Sequence, residues 1–421
     1  MNNLAPPPSL RKTLLAGLIG NAIEFYDFIV YAYLASYFAI HFFPSHDPVA
    51  ALIASYGAFA TGMIMRPIGG LLLGSIGDKI GRATAMQVSV AMIAIPTVLI
   101  GLMPTYQSIG LWAPILLMLL RMLQGLAVGG EYSTSVVYMV ERSPTGIQGF
   151  IGSFSPMGAF TGLFLGTAVC FLCTWTLGKD TMTEWGWRIP FLLSIALALM
   201  GIWIRSSLSK DIFSGSDAQP KSPVLAVFVH HWRTVLAIAL ANTATGIVSF
   251  VGFMYIVSWT VHHAGVTNDA ALSVNLLSLF LVGGFCLWGG HLGDRFGTIR
   301  VAKLGAFLLI IGPWFAFSLA KSGLYVDMIA AGLILAIGQG LFVGPLCAAM
   351  THALPASVRV TGIGLGYSFS VGIFGGLAPM FTEYLSSVHN MVMAPAIVIM
   401  VGAIISWLTL LIAPTWKNAK Y

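Results

Sequence analysis

Glu24 and Asp27 stand three residues apart in an otherwise apolar stretch, a spacing that puts both carboxylates on one helical face, which Asn21 and Tyr31 extend. A second apolar stretch carries Arg121, Gln124 and Glu131 along one face. In hydrocarbon an isolated charge is expensive, so a carboxylate on one helix and an arginine on another relieve each other's burial. Such a pair can also handle protons. Desolvation draws a carboxylate toward its neutral form and a nearby guanidinium draws it toward its ionised form, so a change in their distance switches the proton on or off. Asp27 is the first candidate for the proton carrier and Glu24 the second. Arg121 is the switching partner and, through its planar fork, an anchor for a bound carboxylate. A purely structural ion pair is the other reading of these residues, and Glu131 divides between helix-end packing and coupling.

Chemistry of this kind needs a membrane around it, and the composition supplies one. Of 421 residues, 57% are hydrophobic and 8% charged; so few charges cannot cover a water-exposed surface, where about 25% is usual. Apolar stretches of about 20 residues recur throughout, each long enough to cross a hydrocarbon core about 30 Å thick. The expected spans are 12–40, 49–76, 84–104, 110–140, 147–175, 187–207, 233–262, 269–293, 300–320, 326–352, 358–387 and 391–414. The chain therefore reads as an all-α membrane protein with twelve transmembrane helices.

A net charge of +6 invites a nucleic-acid partner, yet the cations fall in alternate loops. Arg11, Lys12, Lys79, Arg82, Arg142, Arg205, Lys210, Lys221, Arg233, Arg295, Arg300, Lys303, Arg359, Lys417 and Lys420 belong to one side, against Lys179, Arg188 and Lys321 on the other. The positive-inside rule makes the cation-rich side cytoplasmic and places both termini there, with no nucleic-acid partner. The first apolar run follows Arg11 and Lys12 as a secretory signal would, but its length and its carboxylates make it an uncleaved span. Cys170 and Cys173 form a CxxC without a second pair or a histidine cluster, so they read as small packing residues and no metal or other cofactor is expected.

The most polar stretch, Ser206 to Lys221, follows the sixth span and divides the chain into a six-helix bundle over 1–207, a cytoplasmic linker over 208–232 and a second six-helix bundle over 233–421. The halves echo each other: Gly74-Ser-Ile-Gly-Asp78-Lys79-Ile-Gly81 follows the second span and Gly290-His-Leu-Gly-Asp294-Arg295-Phe-Gly297 the eighth. Two copies at equivalent places point to a duplicated bundle. Asp78 with Arg82, and Asp294 with Arg295, read as cytoplasmic latches that separate when the bundles rock. Arg66, beside Pro67, reads as a gate residue because it leads into the first of these loops, with anion binding as the alternative. Glycines spaced by four, as at Gly158, Gly162 and Gly166 or Gly125 and Gly129, are close-packing faces, with a sliding role during transport as a further reading.

In the second half, Asn242, Thr245 and Ser249 share one face and Asn275 and Ser278 another; such stripes either bond between helices or line a cavity. Tyr255, Trp259, Trp288 and Tyr367 offer an aromatic wall for a quaternary amine, or else interfacial anchors. His352 is a lone histidine near a helix end. No HExxH, GxSxG or Walker sequence occurs, so an enzyme is not expected.

Several segments together resemble the metabolite:proton symporters of the major facilitator superfamily. They are Gly20-Asn21-Ala-Ile-Glu24-Phe-Tyr-Asp27-Phe28, Arg66-Pro67-Ile-Gly-Gly70 running into Asp78 and Arg82, Arg121-Met-Leu-Gln124-Gly125 with Glu131, Gly186-Trp-Arg-Ile-Pro190, and Val358-Arg359-Val-Thr361-Gly362 with Tyr367. The resemblance covers nearly the whole chain. It implies the major facilitator fold, alternating access, and proton-coupled import of a small organic metabolite across a bacterial inner membrane by a monomer, with the proton gradient as the energy source and no cofactor. Read from their polar faces and loop positions, substrate contacts are expected at Asn21, Tyr31, Arg121, Gln124, Asn242, Thr245 and Tyr367, and gating roles at Arg66, Asp78, Arg82, Asp294, Arg295 and Arg359. The partners are then a small-molecule substrate, protons and the lipid bilayer. Departures exist: Gln148-Gly149 stands where the family has Arg-Gly, and the chain lacks the long coiled-coil tail of osmosensing members. With mainly Arg121 and Arg66 as intramembrane cations, a zwitterion such as an amino acid or betaine, or a monocarboxylate, fits better than a tricarboxylate. A proton-coupled exporter is the alternative.

Overall fold

Twelve helices among the described residues are long and apolar enough to cross a membrane. They are Thr13–Tyr33, Gly57–Lys79, Arg82–Leu102, Trp112–Glu141, Gln148–Glu184, Gly186–Ile204, Trp232–Ala264, Asn268–Phe296, Thr298–Ala320, Tyr325–Ala353, Arg359–Ser387 and Ala394–Ile412, numbered here spans 1 to 12. The computed structural model describes residues 10–44, 48–206 and 222–416. Lys210, Lys221, Lys417 and Lys420 of the charge pattern, and 208–221 of the expected linker, lie outside them. What is described of that linker includes a helix, Pro223–His230, begun by the Ser222 hydroxyl accepting from the Leu225 N–H, with proline in its first turn.

Spans 1–6 and 7–12 form the two bundles of a major facilitator fold. Span 5 continues nine residues beyond the expected 175, because Thr176–Glu184 is polar and invisible to hydropathy while still helical, with a break at Gly178 (φ 76°). The repeated loop motif has a local reason: Gly81 and Gly297 sit at φ 132° and 97°, in the region that favours glycine, and turn the chain from span 2 into 3 and from 8 into 9.

Small residues set the helix spacing. A Cβ at Gly129 would overlap the Arg66 carbonyl oxygen, and one at Gly162 that of Ala22, so spans 4 and 2, and 5 and 1, pack backbone to backbone inside the first bundle. Gly372 and Gly376 instead meet Met63 across the two bundles. Spans 7 and 11 each contain a π-helical segment, Val248–Tyr255 and Ser370–Gly375, a local register error that recurs at functional sites.

Candidate functional site

Four buried charges surround the ring of Phe28. Arg121 donates through Nη1 to Asp27 Oδ2 at 2.8 Å and to Gln124 Oε1 at 2.8 Å. Asp27 also accepts from the Thr97 hydroxyl at 2.9 Å, and Gln124 Nε2 donates to the same hydroxyl oxygen. One turn earlier, Glu24 accepts from Arg66 Nη2 at 3.3 Å. All four charged side chains are at most 2% exposed. Both guanidinium groups lie against Phe28, at 5.4 and 5.3 Å from its centroid, and Arg121 also lies 4.4 Å from the Tyr31 ring. Each carboxylate thus has its own arginine, which is what the cost of burying either alone requires.

The pairing leaves part of Arg121 unused. Its Nε and Nη2, like Nε of Arg66, are buried without a hydrogen-bond partner. A fork bound at one corner, with its other nitrogens unpaired in a dry site, is an acceptor-seeking group suited to a carboxylate.

Arg66, read from the sequence as a gate residue, is placed against Glu24 of span 1. It lies twelve positions before Asp78, about 18 Å along the helix, and is fully buried with Glu24 beside span 11. The carboxylate on span 1 decides where the guanidinium goes. Tyr31 and Gln124, expected as substrate contacts, have partners within the protein. The Tyr31 hydroxyl donates to the Ser55 carbonyl and its ring supports Arg121, while Gln124 bridges Arg121 to Thr97. Asn21 belongs to a separate polar cluster in which Nδ2 approaches Gly17 O, Ser135 Oγ and Ser155 Oγ, each at 2.8 Å. Glu131 accepts from the Ser89 hydroxyl, ten residues from Arg121 along span 4 and apart from the Asp27 network.

The second bundle repeats this framework without its charges. Asn242 donates to the carbonyl four residues earlier, Ile238 O, as Asn21 does to Gly17 O, and reaches Met350 Sδ as Asn21 reaches Ser135. Span 10 reads Gln339-Gly-Leu-Phe-Val-Gly344 where span 4 reads Gln124-Gly-Leu-Ala-Val-Gly129. In that register Thr245 stands for Glu24, Val248 for Asp27, Val282 for Arg66, Ala336 for Arg121 and Leu346 for Glu131. Gln339 was not among the residues expected to act; the sixfold pattern around it was the signal that could have found it. Its Nε2 donates to Thr245 O at 3.3 Å and Ser249 Oγ at 3.4 Å, and its Oε1 is buried without a partner. Thr245 and Asn242 are joined at 3.4 Å.

The latches work through helix ends more than through ion pairs. Asp78 accepts from the backbone N–H of Val360 (3.1 Å) and Thr361 (2.8 Å) and from the Thr361 hydroxyl, capping span 11 from the other bundle. Asp294 does the same for span 5, accepting from Gly149 N–H at 2.6 Å and Phe150 N–H at 2.8 Å. Carboxylates at helix N-termini are favoured there by the free N–H groups and the dipole. Arg82 pairs with Asp78 (3.8 Å) and Glu141 (3.2 Å) and donates to Ala356 O, and Arg359 donates to Glu141 at 2.6 Å. Arg295 is exposed, and Asp294 is engaged by the backbone amides of Gly149 and Phe150. His352 lies 3.0 Å from Gln148, the residue that departs from the family pattern. These contacts join the bundles at the end that carries both termini, so the structure is closed at that end.

The expected aromatic wall is dispersed. Trp288 is 48% exposed on the outside of span 8, Trp259 donates to Val392 O, and the Tyr255 hydroxyl donates to Glu383. Tyr367 instead stacks on Tyr132 across the bundles, centroids 3.9 Å apart. The four cysteines are free and buried, and among the described residues no three His, Cys, Asp or Glu side chains are grouped to hold a metal.

Comparison with known proteins gives four findings. The model of the family described as Sugar (and other) transporter matches residues 12–208. The ectoine/proline transporter ProP of Corynebacterium glutamicum is 32% identical over 97% of this chain and 85% of its own length. The alpha-ketoglutarate permease of Escherichia coli is 33% identical over 88% of this chain and 86% of its own. Among solved structures, the proton:xylose symporter XylE bound to 6-bromo-6-deoxy-D-glucose superposes with a TM-score of 0.78 at 15% identity, covering 97% of this chain and 96% of that one. At that identity the likeness is one of fold.

Proposed function

The chain belongs to the metabolite:proton symporter family of the major facilitator superfamily, and from that premise we propose that it is a multi-pass inner-membrane symporter that imports a small carboxylate-bearing metabolite together with a proton. The observation that carries the reading is the Asp27–Arg121 pair, 2.8 Å apart and buried, with two nitrogens of Arg121 still unpaired. A carboxylate arriving at those nitrogens competes with Asp27 for the guanidinium. An Asp27 that loses its cation in a dry site is stabilised by taking a proton, so substrate and proton load together and the cluster keeps its charge balance. Release reverses the order. Chemistry of this kind draws on the proton gradient and needs no cofactor.

Alternating access supplies the direction of motion. The end with both termini is taken as cytoplasmic from the cation distribution, so the closed latches describe a state shut toward the cytoplasm, which a symporter adopts to load from outside. Relatives carrying ectoine, proline and alpha-ketoglutarate in their names support a small carboxylate-bearing substrate. The monomer, with lipid around it, is a sufficient unit for this cycle.

Reconstituted vesicles test the reading. Asp27→Asn resembles the protonated side chain in shape but cannot release a proton, so it should abolish accumulation driven by an imposed pH gradient while preserving counterflow exchange. Accumulation that persists in Asp27→Asn would remove Asp27 from the proton pathway.

A further inference from the structure

Gln339 has lost the partner its counterpart keeps. In the first bundle Gln124 Oε1 accepts from Arg121, three residues earlier on the same helix. In the second bundle Ala336 takes the place of that arginine, and Gln339 Oε1 is left buried without a donor. The orientation of the amide is fixed by chemistry: Thr245 O can only accept, so the Gln339 nitrogen must face it at 3.3 Å and the oxygen must face away. A fully buried side chain thus holds an unmatched acceptor on the helix that corresponds to the arginine-bearing helix of the other half, turned away from span 7. Leaving such an acceptor unfilled is unfavourable, and a donor that arrives with the substrate fills it.

We infer that Gln339 is a specificity-determining residue whose Oε1 accepts a hydrogen bond from an N–H of the substrate's cationic nitrogen, so that the transported compound is a zwitterion bearing at least one N–H rather than a fully N-methylated betaine or a nitrogen-free acid. This rests on the reading that Arg121 takes the substrate carboxylate; the two bundles then divide recognition, with the anion on the charged half and the cation on the neutral half. The Thr245 carbonyl and the Ser249 hydroxyl hold the amide in place from span 7, next to the π-helical segment that begins at Val248. A site built to satisfy a donor discriminates strongly against an analogue that lacks it, because the buried acceptor is left unpaired.

Binding to the purified full-length protein in detergent, read by calorimetry, tests the inference without requiring transport. The probes are glycine, alanine and proline, each beside its N-permethylated betaine, together with 2-oxoglutarate as a nitrogen-free acid. At least one N–H zwitterion should bind about tenfold or more tightly than its own betaine. Gln339→Met, which keeps the volume and removes the acceptor, should collapse that ratio toward one, whereas Gln339→Glu, which keeps an acceptor, should preserve it. Equal binding of amino acid and betaine by the unaltered protein, a preference for 2-oxoglutarate, or an unchanged ratio in Gln339→Met overturns the role of Gln339 and leaves the carboxylate reading of Arg121 standing. If none of these carboxylates binds, or Arg121→Met binds them as well as the unaltered protein, the carboxylate reading fails and the inference falls with it.

Discussion

Tyr132 and Cys347 are counterparts in the two halves of the chain, and they touch each other: hydroxyl and thiol lie 3.4 Å apart. Residues related by a pseudo-two-fold axis meet only where that axis passes, so it runs between spans 4 and 10 at this point. Beside it Tyr132 stacks on Tyr367, and the Ser368 hydroxyl donates to Gly129 O at 2.9 Å, closing the bundles against each other. Around the axis the latches at Asp78 and Asp294 are equivalent: each is a carboxylate from one bundle capping a helix of the other.

The equivalence predicts equal behaviour of the two caps. Asp78→Ala and Asp294→Ala should each weaken the closed state by about 1 kcal/mol, the usual worth of a helix N-terminal cap, and so raise the population open at the termini end severalfold. Turnover should slow while substrate affinity changes little, because neither residue touches the Phe28 cluster. Thiol labelling of Thr361→Cys, placed in a background free of native cysteines and now buried, should accelerate when Asp78 is neutralised. A large loss of affinity with normal turnover would contradict the latch role.

Backbone contacts between spans predict a contrast among glycines. Gly129→Ala drives a methyl into the Arg66 carbonyl and must part spans 2 and 4, which also disturbs the Glu24–Arg66 pair. Overpacking of this kind costs about 1–3 kcal/mol. Gly284→Ala meets nothing within 4 Å and replaces a poor helix former, so its melting temperature should equal or exceed that of the unaltered protein. Thermal unfolding in one detergent compares them directly.

Much of this was legible before any coordinates, for a physical reason. Charges inside a span must pair, and Asp27 on one span with Arg121 on another therefore announced their ion pair. Spans and family likewise followed from hydropathy and from motifs in order. The Glu24–Arg66 pair went unforeseen because the sequence neighbours of Arg66, Pro67 and the glycine-rich turn, say nothing about which helix lies opposite; the pairing emerges only once span 2 is placed against span 1. Gln339 went unseen for the opposite reason. A neutral amide among apolar residues raises no electrostatic alarm, and its meaning emerges only from comparison with Gln124, whose arginine it lacks.

Topology gives a third prediction. The cation-rich end, with both termini and the loop around Ser216, should be cytoplasmic. A single thiol introduced as Ser216→Cys in a cysteine-free background should resist an impermeant maleimide in intact cells and react once the membrane is opened. Labelling in intact cells would reverse the orientation and with it the direction assigned to the closed latches.

The Glu24–Arg66 pair gives the last prediction, and it separates structure from coupling. Both side chains are fully buried at 3.3 Å, so removing one leaves the other's charge without its ion-pair partner in a low-dielectric interior, at a cost of about 3–5 kcal/mol. Glu24→Gln should accordingly lower the melting temperature strongly, as should Arg66→Met. The double variant Glu24→Gln with Arg66→Met removes both charges and should recover most of the loss, because replacing a buried pair by neutral groups of similar volume is close to neutral. If the pair is structural, the double variant also regains pH-driven accumulation in vesicles. If Glu24 instead carries the coupled proton, stability returns but accumulation does not, and Asp27→Asn retains it. Measuring melting temperature and accumulation on the same three preparations assigns the proton to one carboxylate or the other.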